Sequence, residues 1–135
     1  MVKKIFPLFT ALFFLMACNG NSKKEPVTDT DVATAFIRAV LDNDLTTAGK
    51  FILTDETNQQ FFETFKRQYR QKDQAELEKY KTADIIINTM DPQNDSVTII
   101  NYSNSYEKNT KTNLKLVRSG GKWLVDFKYT VPDNK

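Results

Sequence analysis

The chain has 135 residues, with 19 Lys and Arg against 17 Asp and Glu, 40% apolar side chains, a single Cys and no His. That length allows one domain. The missing imidazole excludes Ser-His-Asp and Cys-His catalysis and most zinc sites, and the lone thiol excludes an intramolecular disulfide or a thiolate cluster.

At the N-terminus, Lys3 and Lys4 form a short basic start, and residues 5–17 follow without a charge. The uncharged run has the length of a signal-peptide core and is short of the roughly 18 to 20 residues a bilayer-spanning helix needs. It ends in Leu15-Met16-Ala17-Cys18, which resembles the bacterial lipobox: a branched apolar residue, a variable one, a small one, then the cysteine that receives lipid. The resemblance implies diacylglycerol transfer to Cys18, cleavage after Ala17 and acylation of the new amino group. Each buried methylene contributes about 0.8 kcal/mol, so two or three chains on one residue anchor the mature protein to a membrane without spanning it. Cleavage removes Lys3 and Lys4 and leaves 17 basic and 17 acidic side chains. A neutral surface offers no electrostatic case for nucleic acid.

Residues 18–26 read as the lipidated cysteine and a flexible tether, since residues 19–26 carry no apolar side chain. By analogy with Gram-negative lipoprotein sorting, Asn19 in place of Asp does not resemble an inner-membrane retention signal. The expected address is the outer membrane, at the periplasmic leaflet or the cell surface. Residues 27–131 are the expected folded domain and 132–135 a tail.

Thr28 and Asp31 have capping-box spacing ahead of Val32, Phe36 and Val40, which predicts a helix over residues 30–42. Asp44 suits the N-cap of a second helix that shares Leu45, Ala48, Phe51 and Ile52 on one side. A third helical pattern runs over residues 57–80, with Phe61, Phe62, Phe65 and Tyr69 as its stripe, a Glu63–Arg67 pair on its surface and a candidate break near 71–74.

The period changes at Ala83. Residues 83–90, 96–104, 111–119 and 122–130 alternate and are rich in Ile, Val, Thr and aromatics, which predicts four strands. Asp91-Pro92-Gln93-Asn94 reads as the first turn and Gly120-Gly121 as a two-residue hairpin turn. Read outward from the glycines, Arg118 faces Trp123, as a candidate cation–π pair, Leu116 faces Val125, Lys115 faces Asp126 and Leu114 faces Phe127. That register gathers Leu114, Leu116, Trp123, Val125, Phe127 and Tyr129 on one side and leaves Lys115 with Asp126 on the polar one.

Three N-terminal helices packed on a curved four-stranded antiparallel sheet make an α+β layer. The order of elements, the Ala35-Phe36-Ile37-Arg38-Ala39-Val40 helix leading into Asn43-Asp44-Leu45, and the closing Gly121-Lys122-Trp123-Leu124-Val125-Asp126 segment resemble small bacterial lipoproteins of the nuclear-transport-factor-two-like, cystatin-like superfamily. The resemblance implies a cone whose sheet curls around the helices, hosting isomerases, dehydratases, ligand carriers or dimerisation modules. Fold alone does not choose among these.

Enzymes of that fold place an acid in the cone, and here the candidates are Asp84 and Asp126. Asp84 also reads as a solvated strand end and Asp126 as half of an exposed cross-strand pair worth under about 1 kcal/mol. Tyr69 and Tyr102 are candidate hydrogen-bond donors to a ligand and Trp123 a candidate stacking platform, although all three also suit a core or its rim. Asp95-Ser96-Val97 resembles a short O-glycosylation site, with Ser96 as acceptor. Lys66, Arg67, Arg70 and Lys72 are interleaved with acids, as on a solvated helix face. The four glycines form no phosphate loop, no carboxylates have calcium-loop spacing, and no metal or cofactor is expected. The reading that results is a non-enzymatic, membrane-anchored module that binds a small molecule or a protein partner, with a homodimer through the outer sheet face as one form of the latter. The alternative is a cofactor-free lyase or isomerase with a carboxylate and a tyrosine in the cone.

Overall fold

The computed structural model describes residues 24–132. The expected signal segment 1–17 with its expected cleavage point at Ala17, the expected lipidation residue Cys18, most of the expected tether and residues 133–135 lie outside the described residues. Between them the chain is α+β, with four helices on an antiparallel sheet.

Helix α1 (Asp29–Leu41) begins at the expected capping box, where the Thr28 hydroxyl accepts from the Asp31 backbone N–H and the Asp31 carboxylate accepts from that of Thr28, both at 3.1 Å. Its apolar face, with Val32, Ala33, Phe36 and Ile37, is buried. Asn43 in the left-handed region (φ 57°) turns the chain. Asp44 then caps the short α2 (Leu45–Gly49) through the Thr47 N–H.

The pattern over 57–80 resolves into two helices, α3 (Glu56–Tyr69) and α4 (Gln74–Thr82). Asp55 caps the first and Asp73 the second, each accepting from the N–H three residues on. An Asp cap contributes about 1 kcal/mol, enough for Asp73 to restart a helix in a segment without an apolar side chain. On the surface of α3, Glu63 pairs with Lys66 instead of the expected Arg67, which donates to the Thr64 hydroxyl.

Four strands follow in the order β1 (Ile85–Asn94), β2 (Val97–Asn104), β3 (Thr112–Ser119) and β4 (Lys122–Val125), each antiparallel to the next. The turn expected at 91–94 is instead the end of β1, and the reversal falls at Asp95 and Ser96. Pro92 is tolerated there because β1 is the sheet's edge. Asn94 supplies the turn contact, its side-chain oxygen accepting from the Ser96 N–H at 2.8 Å.

The β3–β4 hairpin turns on Gly120 and Gly121 at φ 58° and 77°, and the register expected from them holds for four pairs, from Ser119–Lys122 to Leu116–Val125. It stops there. Asp126 still donates its N–H to the Lys115 carbonyl, but the chain then tightens into a 3-10 turn, Phe127–Tyr129. Leu114 and Phe127 are therefore not ladder partners. Tyr129 leaves the core face and is 52% exposed, its ring 4.0 Å beneath the Lys115 ammonium. A short β5 (Val131–Pro132) returns to pair with β3.

The core lies between α1 and the sheet, where Phe36, Ile37, Ile52, Ile100, Leu114, Leu116 and Val125 are essentially without solvent contact. Burial of each such side chain stabilises by about 1.5 to 3 kcal/mol. The outer edge of β4 is closed by residues 51–53, for Val125 donates to the Phe51 carbonyl and accepts from the Leu53 N–H. Among the described residues, no helix is long and apolar enough to cross a membrane.

Candidate functional site

Two helices and the far end of the sheet do not close on one another. The α1 residues Phe36, Ile37, Val40 and Leu41 form one wall of a cavity of about 710 Å³; Phe65 and Tyr69 of α3, Tyr102 of β2 and Phe127 of the 3-10 turn complete its apolar lining. Helical spacing explains the α3 contribution, since residues 61, 65 and 69 recur every four positions and share one side of the helix. Phe62, one step round, packs into the core instead, 5.3 Å from Phe127 between ring centroids. Phe61 was expected in the buried stripe. It is 53% exposed and stands at the cavity's mouth.

The polar contribution comes from Gln60, Thr64 and Gln68 of α3, from the end of β2 and the loop after it, including Asn104, Glu107 and Thr110, and from Thr112 and Thr130. Asn104 organises that loop, its side-chain oxygen accepting from the N–H groups of Tyr106 (3.0 Å) and Glu107 (2.9 Å). Thr110 then donates its N–H to the Glu107 carbonyl. The Glu107 backbone is thus fixed from both sides.

Burial pushes the phenols of the region upward. Tyr69 rises to about 12, through desolvation first and then through Tyr102, Glu76 and Glu107, and Tyr102 also rises to about 12 through desolvation. Tyr80 is driven higher still by burial and by its contacts with Glu107 and Glu76. All three are protonated donors at neutral pH. Two hydroxyls on the cavity wall, Tyr69 Oη and Thr130 Oγ1, are buried without a hydrogen-bond partner. A buried polar group left unpaired costs about 1 to 3 kcal/mol, so both are open to a guest that satisfies them.

The sequence-expected residues fall into different places. Tyr69 and Tyr102 meet in the cavity wall, whereas Trp123 sits on β4, half-buried against the core and away from the lining. Asp84 is an exposed residue whose backbone exchanges hydrogen bonds with Ser105. Ser96 is exposed in the turn after β1.

Asp126 corrects its expectation, for it is 4% exposed and no part of an open cross-strand pair. Its carboxylate accepts from Asn58 Nδ2 (3.0 Å) and Lys128 Nζ (2.8 Å), and Lys115 Nζ lies 3.4 Å away. Desolvation raises its pKa, but the hydrogen bonds from Lys128 and Asn58 and the two ammonium charges outweigh it and hold the group below the usual carboxylate range. The result is a charged structural tie, with neither Asp84 nor Asp126 lining the cavity.

Glu107 and Thr130 were missed at the sequence level. The signal for Glu107 was the Asn104-Ser105-Tyr106-Glu107 run, in which an Asn ending a strand can accept from N–H groups two and three residues on. Among the described residues, no group of three or more His, Cys, Asp or Glu is placed to hold a metal ion. No family model, curated protein or solved structure matches the chain.

Proposed function

We propose that this chain is a lipoprotein anchored at Cys18, in a Gram-negative outer membrane, whose domain binds a small, largely apolar molecule between α1, α3 and the end of the sheet, without catalysing its conversion. The anchor is supported by Leu15-Met16-Ala17-Cys18 directly after an uncharged segment. The cone of the cystatin-like superfamily, with helices lying inside a curled sheet, is the arrangement that best accounts for a cavity at this position. One observation carries the binding reading: a void of about 710 Å³ with aromatic and aliphatic walls and two unpaired buried hydroxyls. Ligand sites are typically about 300 to 1,000 Å³, mostly apolar, with a few fixed polar groups.

The lyase or isomerase alternative is favoured by the meeting of Glu107 with Tyr69 and Tyr102, although it no longer draws on Asp84 or Asp126. Binding ranks above it because phenols held at about 12 are poor proton acceptors at neutral pH.

Native mass spectrometry of the protein taken from its own membrane tests the binding reading. The expected result is a bound small-molecule mass that is lost in Thr64→Trp, a substitution at an exposed wall position that fills the mouth and spares the core. Bare protein throughout, or the same adduct on both forms, would remove the cavity from the account.

A further inference from the structure

Resting on that binding reading, we propose that the cavity selects a guest whose apolar body ends in a protonated amine, with the Glu107 carboxylate as counter-ion and the Tyr69 hydroxyl as a neutral acceptor. It discriminates against guests ending in a carboxylate.

Among the described residues that line the cavity, Glu107 is the single charged one. The cations near Tyr69 are already paired, although Lys72 Nζ also lies over the Tyr69 ring, 5.8 Å from its centroid. Arg38 donates to the carbonyls of Ala83 (2.8 Å), Tyr80 (3.3 Å) and Lys81 (3.2 Å) and pairs with Asp42. Lys72 lies 2.7 Å from Glu76. A guest carboxylate would therefore bring like charge toward Glu107 with no wall cation to compensate it, whereas an ammonium group meets a carboxylate that keeps lone pairs beyond the one the Tyr80 hydroxyl occupies.

The second observation is independent of charge. Tyr69 is 6% exposed, it lines the cavity, and its hydroxyl has no partner. As a neutral phenol its oxygen accepts from the guest's ammonium through a lone pair, while its O–H gains nothing from a head that carries no acceptor, so Tyr69 contributes less to head-group selection than Glu107. The Asn104 turn holds the Glu107 backbone in place, so less ordering is left to occur on binding.

Three short probes with one body and different heads separate this claim from the reading beneath it: 4-phenylbutylamine, 4-phenylbutanol and 4-phenylbutanoate. Binding is measured by saturation-transfer NMR and calorimetry, on the full protein held in zwitterionic nanodiscs with empty discs as the blank. A hydrogen bond to a charged group contributes about 1.5 to 3 kcal/mol, so the amine is expected to bind about tenfold or more tighter than the carboxylate, with the alcohol between. Glu107→Gln is expected to bring the amine to the alcohol's affinity, and Tyr69→Phe to weaken the amine by a smaller factor. If the three probes bind equally, or the amine's advantage survives Glu107→Gln, the head-group claim is overturned while the cavity stands. If none binds, the binding reading fails with it.

Discussion

Asn58 and Asp126, separated by 68 positions, are joined by a hydrogen bond of 3.0 Å, and both residues are buried. Asn58 also donates to Asp55, the cap of α3, and accepts from the Lys128 N–H. One amide thus ties the start of α3 to the point where the last long strand ends, and so fixes two walls of the cavity.

Asn58→Ala should be among the costlier single changes outside the apolar core. It removes three contacts and leaves the Lys128 N–H and part of the Asp126 carboxylate short of partners, for an expected loss of about 2 to 4 kcal/mol. Urea unfolding should show a lower midpoint at unchanged slope. Gln60→Ala, on the exposed side of the same helix, should stay within about 0.5 kcal/mol of wild type.

Acid should unfold the domain through the same tie. The folded pKa of Asp126 lies below its ordinary value of 3.8, so its stabilisation is complete above the unfolded value and is lost as pH falls through the folded one. Asp31, Asp44 and Asp55 are lowered as well, each first by the backbone N–H it caps. Stability should therefore be level down to about pH 5 and fall below about pH 4. Asp126→Asn should be less stable at neutral pH and show a shallower acid limb in a pH series of denaturant midpoints.

The alkaline side has the opposite sign. Tyr69 and Tyr102 are raised to about 12, so the stability they contribute is present below the ordinary phenol value of 10.0 and is lost as pH rises from there toward 12. Absorbance titration at the phenolate band should show Tyr69→Phe and Tyr102→Phe each removing a late-titrating group. Loss of an early-titrating group instead would mean that the phenol is solvated.

Much of this was legible in the residues. Side-chain caps are local, so Thr28 with Asp31 and Asp44 announced two helix starts correctly. Gly120-Gly121 set the register of its hairpin because only adjacent pairs matter there. Misreadings arose where a distant partner overrides local preference. Pro92 looked like a turn until its edge position was known, and residues 126–130 looked like a strand until Asn58 and Lys128 drew Asp126 inward. Tyr69 and Tyr102 were named as ligand donors and do line the cavity, but its size and its other walls were not legible, since they come from four separated segments and an alternation pattern does not report an unfilled gap.

Cys18→Ser should leave the domain folded while abolishing acylation and cleavage. Intact-mass measurement of the native protein is expected to find an N-terminus at Cys18 carrying acyl mass, and the variant to retain residues 1–17. Unmodified Cys18 in native material would contradict the anchor.

Diffraction from crystals pressurised with xenon tests most directly whether an apolar space exists for any guest, because xenon enters dry apolar cavities without needing a polar contact. The account predicts xenon between Ile37, Val40 and Phe65, with Phe61 remaining at the mouth. A space filled by the Phe61 ring, with no xenon bound, would contradict it.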